Sequence, residues 1–201
     1  MNRFEEIFQI LSSDYKDDKI KFLESSSQTN NPEIIRKIIS KLDDTEIAVR
    51  GEAFSSLLLN ENKISEFLIQ GLSSTNKNIK AFSALVLANR EDSDAIPALE
   101  LLTKDPSSMV RSCALGGLGY LCSSKSSTVI RNCFEDEALQ VRKSALEAFF
   151  KIGGQILPNE FERLTKDADE ELKFLIKNYK NIKFSIILEA HKECDIFRYF
   201  N

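Results

Sequence analysis

The sequence predicts an all-α protein, a right-handed α-solenoid of about six antiparallel helix pairs. Glycine and proline are scarce, with 7 and 4 among 201 residues, which favours helices joined by short loops. A segment of about 31 residues recurs along the chain, and its apolar residues are spaced to share one helix face. One helix pair cannot bury such a face alone, so successive pairs are expected to stack.

Each copy of the repeat carries an aliphatic residue followed directly by a basic residue. The aliphatic residues are separated by 30, 31, 31 and 31 positions, a spacing that chance rarely produces. If the aliphatic residue is position 0, a small residue recurs at position 4 and a large apolar residue at position 8. These three positions lie on one helix face, and the small residue allows close approach of a neighbouring helix. The five pairs are Val49-Arg50, Ile79-Lys80, Val110-Arg111, Val141-Arg142 and Leu172-Lys173.

A second, shorter helix is predicted before each of these helices. Four clear examples span residues 32–42, 63–72, 95–102 and 128–134, and residues 157–164 form a weaker fifth. Pro97 is expected in the first turn of its helix, where a missing N–H costs nothing. The whole chain, 1–201, is interpreted as one repeat domain. Residues 1–31 form a degenerate first repeat, 32–178 the core repeats, and 179–201 a cap helix with an aromatic tail.

Residues 94–121 carry the motif that connects this repeat to a known family. Their sequence, DAIPALELLTKDPSSMVRSCALGGLGYL, resembles the HEAT-like repeats of the phycobilisome-lyase type, a short variant of about 30 residues. The resemblance implies a stack of helix pairs whose second helices line a concave face. Such repeats occur in bilin lyase subunits and in deoxyhypusine hydroxylase, so the resemblance implies a fold and leaves the function open.

The basic residues of the repeat are interpreted as structural. Each follows, by six positions, a residue able to cap the second helix, and four of these five residues are aspartates. The aspartate is also placed to accept a charge-assisted hydrogen bond from the basic residue of its own or the adjacent repeat. The alternative, a basic row that follows a phosphate backbone, is less favoured. The capping residues are Asp44, Ser74, Asp105, Asp136 and Asp167.

Composition argues against catalysis and against cofactors. The chain has one histidine, His191, so the paired His-Glu motifs that hold iron in deoxyhypusine hydroxylase are missing. The four cysteines form no C-x-x-C pair, which argues against a zinc site. The sequence therefore predicts no catalytic residue, no metal site and no cofactor. The net charge of −4 makes nucleic acid an unfavoured partner.

A protein or peptide is the predicted partner, held on the concave face by the second helices. Positions 2, 3, 6 and 10 are expected to face this groove, and their residues are apolar in the middle repeats and charged on either side. This composition is typical of protein interfaces, although crowding on a concave face could alone favour small residues. The predicted binding residues are Phe82, Leu85, Cys113 and Tyr120 at the centre, and Glu52, Lys143, Glu147 and Lys151 on the flanks.

The N-terminus lacks the layout of a signal peptide, and no apolar run approaches the length of a membrane span. We therefore expect a cytoplasmic protein, monomeric in isolation, that acts as a non-enzymatic scaffold or adaptor. Two alternatives stay open at this point. One is an accessory subunit of an enzyme, similar to a bilin lyase subunit or with a regulatory role. The other is a nucleic-acid-binding repeat protein.

Overall fold

The computed structural model describes residues 3–13, 15–157, 160, 164, 168–174 and 176–177. Described residues fall into two compact units, one ending at Gln155 and one beginning at Ile156. In the second unit, residues 170–174 and 176–177 are helical, and Leu164 and Leu172 are fully buried. Most of the predicted sixth repeat, the cap helix, the aromatic tail and His191 lie outside the described residues.

The first unit contains five helix pairs, as an α-solenoid requires, and its described residues include no strand. We call the first helix of each pair the A helix and the second the B helix. The A helices are α1 (Arg3–Ser12), α3 (Pro32–Ser40), α5 (Ser65–Leu72), α7 (Ile96–Leu102) and α9 (Ser127–Asn132). The B helices are α2 (Lys16–Ser25), α4 (Ile47–Leu59), α6 (Lys77–Asn89), α8 (Ser108–Tyr120) and α10 (Leu139–Lys151).

The four clear predicted A helices are confirmed to within a few residues at each end, whereas most of 157–164 lies outside the described residues. Short 3₁₀ turns at Lys41–Asp43 and Cys133–Glu135 extend α3 and α9, and another at Ser93–Ala95 precedes α7. Pro97 lies in the first turn of α7, as expected. Within the described ranges, no helix is both long and apolar enough to cross a bilayer.

The B helix α8 has two further buried faces besides the one that meets its A helix, because it packs against both α6 and α10. In these two junctions, residues at position 9 of one B helix approach residues at position 7 of the next. A Cβ placed on Gly119 of α8 would stand 2.7 Å from the Cα of Ala148 in α10, and one on Gly117 would stand 3.6 Å from the Cβ of Ala88 in α6. Glycine and alanine at these positions therefore allow α6, α8 and α10 to pack closely.

The capping aspartates shape the turn before α4, α8 and α10, which corrects the predicted role. Asp44 Oδ1 accepts a hydrogen bond from the N–H of Glu46 at 3.1 Å, and Glu46 is the N-cap residue of α4. The carboxylate thus closes the turn two residues ahead and does not bind the free N–H groups inside the helix. The bond recurs from Ser107 N–H to Asp105 and from Ala138 N–H to Asp136, at 2.9 Å each.

Two of the basic residues, Lys80 and Arg111, join one repeat to the next, which is one of the two predicted pairings. Arg111 donates two hydrogen bonds to the carboxylate of Asp136 in the following repeat, at 2.7 and 2.8 Å. The same guanidinium donates to the main-chain oxygen of Asp105 in its own repeat at 2.9 Å. Lys80 makes the equivalent ion pair with Asp105. We call this set of ion pairs between repeats the ion-pair ladder.

Three B helices end in the same left-handed turn. Glu91, Cys122 and Gly153 follow α6, α8 and α10, with φ values of 57°, 48° and 75°. In each case the N–H of the residue after this turn donates a hydrogen bond to a main-chain oxygen in the last turns of the helix. For example, the Ser123 N–H donates to the Leu118 oxygen at 3.1 Å. This is the Schellman motif, which glycine fits best because a Cβ is unfavourable in this conformation.

Cys122→Gly is expected to raise the free energy of unfolding by about 1 kcal/mol. The left-handed conformation costs an L-residue about 1–2 kcal/mol, and glycine loses part of this gain through its greater freedom in the unfolded chain. Gly153→Ala is the matched control and is expected to lose about 1 kcal/mol, because a Cβ there meets nothing within 4 Å and only its φ is unfavourable. Urea unfolding measures both. A Cys122→Gly protein no more stable than the wild type would contradict this reasoning.

Candidate protein-binding face of the B helices

The B helices of the middle repeats leave one exposed stripe, formed by positions 3, 6 and 10. Successive residues in it are three and four apart, so they lie along one helix face. We call these residues the B-helix stripe. They are Glu52, Ser55 and Leu59 on α4, Phe82, Leu85 and Asn89 on α6, Cys113, Gly116 and Tyr120 on α8, and Ser144, Glu147 and Lys151 on α10.

The centre of the B-helix stripe is apolar and only partly covered. Phe82, Leu85 and Cys113 are half-buried, and Tyr120 keeps 38% of its surface exposed. Gly116 lies among them on α8, and a Cβ added to it would meet nothing within 4 Å. The absence of a side chain at Gly116 therefore leaves open space above the backbone of α8, and Cys113 and Tyr120 lie one turn before and one turn after it on the same helix face.

The charged flanks lie where the sequence placed them, with one exception. Glu147 and Lys151 are exposed on α10. Glu52 is half-buried on α4, where its carboxylate accepts a hydrogen bond from Ser56 Oγ at 3.4 Å. On the opposite flank, Lys143 is only 6% exposed.

The burial of Lys143 corrects the assignment of position 2 to the groove. Ala81, at the same position in α6, is also fully buried. In α6, position 2 lies two helical turns before position 9, on the side of the helix that packs against α8. A pattern read from one helix identifies its A-helix contact and does not reveal which of its lateral faces are also covered.

The side chains of the B-helix stripe favour binding of a partner over catalysis. Burial raises the pKa of the Cys113 thiol, so this group stays protonated at neutral pH and is a weak nucleophile. In the part of the chain that the structure covers, no three His, Cys, Asp or Glu side chains are grouped to hold a metal ion.

Sequence reasoning missed one member of the ion-pair ladder. Lys19 on α2 donates to both carboxylate oxygens of Asp44, at 3.1 and 3.3 Å, and only 7% of its surface is exposed. Its aliphatic neighbour is replaced by Asp18, so the paired motif is not visible in the first repeat. The signal that could have found it is spacing, since Lys19 stands 31 residues before Arg50.

Comparison with known proteins agrees with this architecture. Residues 65–149, less than half of the chain, match the family model described as HEAT repeats. An engineered protein from the Northeast Structural Genomics Consortium is 18% identical, with 92% of this chain and 98% of that chain covered and a TM-score of 0.53. A chain in the complex of CpcE and CpcF of phycocyanin lyase from Nostoc sp. PCC7120 is 20% identical, with 86% and 74% covered and a TM-score of 0.53.

A search of curated proteins finds no sequence match. At such low identities the two structures establish the fold and not the activity. The recurring unit, the stacked helix pairs and the family match together define a HEAT-like repeat protein, an α-solenoid of the kind that commonly mediates protein binding.

Proposed function

We propose that this protein is a non-enzymatic scaffold or adaptor that holds a protein or peptide segment on the B-helix stripe. The observation that carries the proposal is the open space over Gly116, among partly exposed apolar side chains in the middle of the face. An apolar side chain of the partner could lie on the α8 backbone there, between Cys113 and Tyr120. Contacts at the centre of an interface supply most of its affinity.

The rim of the stripe supports the same role. Glu147 and Lys151 on one flank and Glu52 on the other place charge around an apolar centre, as in ordinary protein interfaces. Charged rims contribute more to orientation and association rate than to affinity. The similarly folded chain from the CpcE–CpcF complex is itself found with a protein partner, which is compatible with this proposal.

We further propose that the protein works in the cytoplasm as a monomer and carries out no reaction itself. The net charge of −4 does not favour nucleic acid as the partner. The raised pKa of Cys113 argues against a nucleophilic thiol on the stripe.

Gly116→Trp is expected to abolish partner binding without disturbing the fold. A Cβ at this position has free space, so the indole would project from α8 and occupy the site of the proposed anchor. The tagged wild-type chain would be used to recover partners from its host, and the affinity of a purified partner would then be measured by calorimetry. We expect a loss of at least about 100-fold, since filling the site removes its central contact.

Gly51→Trp is the matched control. Gly51 lies at position 2 of α4, outside the B-helix stripe, and unlike Ala81 and Lys143 at the same position it is exposed. Its Cβ would also meet nothing within 4 Å. A partner that binds the wild type and Gly51→Trp equally, and loses affinity for Gly116→Trp and for Phe82→Ala/Tyr120→Ala, supports the proposal. Equal binding to all four proteins excludes the stripe as the interface. Recovery of nucleic acid or of a pigment in place of a protein overturns the scaffold function.

A further inference from the structure

We propose that the junction between α4 and α6 is a hinge within the first unit, and that Arg90 is the residue that limits its opening. The hinge would let the first two repeats move as one body relative to the third, fourth and fifth repeats. This inference is independent of the partner proposed above, because it rests on packing inside the solenoid. Three features of the junction differ from those of its neighbours.

Loose helix packing is the first feature. The helices α6 and α8, and likewise α8 and α10, pack against each other along much of their lengths, whereas α4 approaches α6 over only a short stretch. Adjacent repeats of a solenoid are held mainly by the interface between them. At this junction the share of that interface supplied by the two B helices is reduced, which lowers its stiffness on that side.

Side-chain size explains the loose packing. At the two tight junctions, position 9 of one helix and position 7 of the next are occupied by Ala88 with Gly117, and by Gly119 with Ala148. The corresponding residues of α4 and α6 are Leu58 and Val86. These larger side chains prevent the close approach that glycine and alanine allow at the other junctions.

An interruption of the ion-pair ladder is the second feature. Lys19, Lys80 and Arg111 each reach an aspartate in the following repeat. Arg50 of α4 donates instead to the main-chain oxygens of Asp44 and Thr45, at 2.7 and 3.2 Å. The third repeat has Ser74 where the others have aspartate, and its hydroxyl accepts only the turn hydrogen bond from Asn76 N–H at 3.1 Å.

The third feature is a pair of polar contacts that cross the junction at its two edges. At one edge, the carboxylate of Asp43 accepts hydrogen bonds from the side-chain amides of Asn76 and Asn78, the latter at 2.6 Å. At the other edge lies Arg90, the C-cap residue of α6.

Arg90 spans the gap between the two B helices with its long side chain. Its guanidinium donates to the main-chain oxygens of Leu57 at 3.2 Å, of Asn62 at 2.9 Å and of Asn60. These oxygens belong to the end of α4 and the loop that follows it. Leu121 and Ile152 occupy the same C-cap position after α8 and α10, where such a bridge is not needed because the helices already touch.

The hinge is tested by distance distributions from electron paramagnetic resonance on the full chain. Spin labels are attached through bioorthogonal amino acids, because the chain has four native cysteines. One label pair crosses the junction, at Glu33 of α3 and Thr128 of α9. The other stays on one side, at Gln70 of α5 and Thr128. All three residues are exposed.

Arg90→Met is expected at least to double the width of the 33–128 distribution and to leave the 70–128 distribution unchanged. Arg111→Met is the matched control, since it removes a cross-link between α8 and α10, where Gly119 and Ala148 still pack. We expect it to change neither width. Should Arg90→Met fail to fold, Arg90→Lys keeps the charge while losing the forked set of donors.

An unchanged 33–128 width in a folded Arg90 variant would overturn the hinge. Equal broadening of both label pairs would also overturn it, because the loosening would then be general. The same conclusion would follow if Arg111→Met broadened the 70–128 distribution as much as Arg90→Met broadens the 33–128 distribution.

Discussion

Gly119→Ala is expected to lower the free energy of unfolding by about 2 kcal/mol. The new Cβ would stand 2.7 Å from the Cα and 2.9 Å from the Cβ of Ala148, so the backbones of α8 and α10 must separate. Overpacking of this kind costs about 3 kcal/mol at the upper end of its usual range. Alanine recovers about 1 kcal/mol through its higher helix propensity. Urea unfolding followed by circular dichroism measures the difference.

Gly116→Ala separates the steric effect from helix propensity. Gly116 lies one turn earlier in the same helix, and its Cβ would meet nothing within 4 Å. We expect this variant to gain about 1 kcal/mol, because only the propensity changes. The two variants should thus differ by about 3 kcal/mol. If both gained or both lost stability, close packing of α8 on α10 would not be the reason for glycine at position 119.

Asp44→Asn is expected to destabilise the fold by about 3 kcal/mol at neutral pH, because it leaves a nearly buried ammonium group unpaired. Asp44 is 9% exposed and bonds Lys19 at 3.1 Å and Lys41 at 3.0 Å. Burial by itself would raise the pKa of Asp44. The hydrogen bonds from the Glu46 N–H and from the two lysines outweigh burial and hold that pKa below its ordinary value.

The pH dependence of this effect has a definite sign. A carboxylate with a depressed pKa in the folded state stabilises the fold above its unfolded pKa, about 4, and loses that contribution as pH falls through the lower folded value. The gap in stability between wild type and Asp44→Asn should therefore be full at pH 6 to 7 and shrink below about pH 4.

Asp94→Asn is a suitable control for the pH series, because Asp94 is exposed. We expect it to change the free energy of unfolding by less than about 0.5 kcal/mol at neutral pH. If the difference in free energy of unfolding between wild type and Asp44→Asn stayed constant down to pH 3, the ionised form of Asp44 would not be what stabilises the fold.

Most of the fold could be predicted from spacing alone. The recurrence of Val110-Arg111 and its equivalents predicted the B helices, and the residues between them predicted the A helices. The turn role of Asp105 was harder to predict, because a carboxylate can reach N–H groups two or three residues ahead and only the backbone conformation selects between them.

The candidate site was predicted less completely. The exposure of Tyr120 and Glu147 follows from helical periodicity, whereas the burial of Lys143 does not follow from the periodicity of its own segment. The register predicted that Gly116 faces the groove, but it did not predict that a Cβ added to Gly119 would stand 2.7 Å from the Cα of Ala148. Binding by the stripe itself stays a prediction.

The ion-pair ladder affects how such a protein can gain or lose repeats during evolution. Lys19, Lys80 and Arg111 each bind an aspartate 25 residues further on, so the link is the same for every copy that keeps both residues. Duplicating or deleting one unit of 31 residues would preserve that separation at the new boundary. A repeat could thus be added or removed by recombination while the ion pairs at its boundaries are kept. Among the junctions between α2 and α10, the boundary between α4 and α6 is the one where a transplanted repeat would find no matching ion-pair partner.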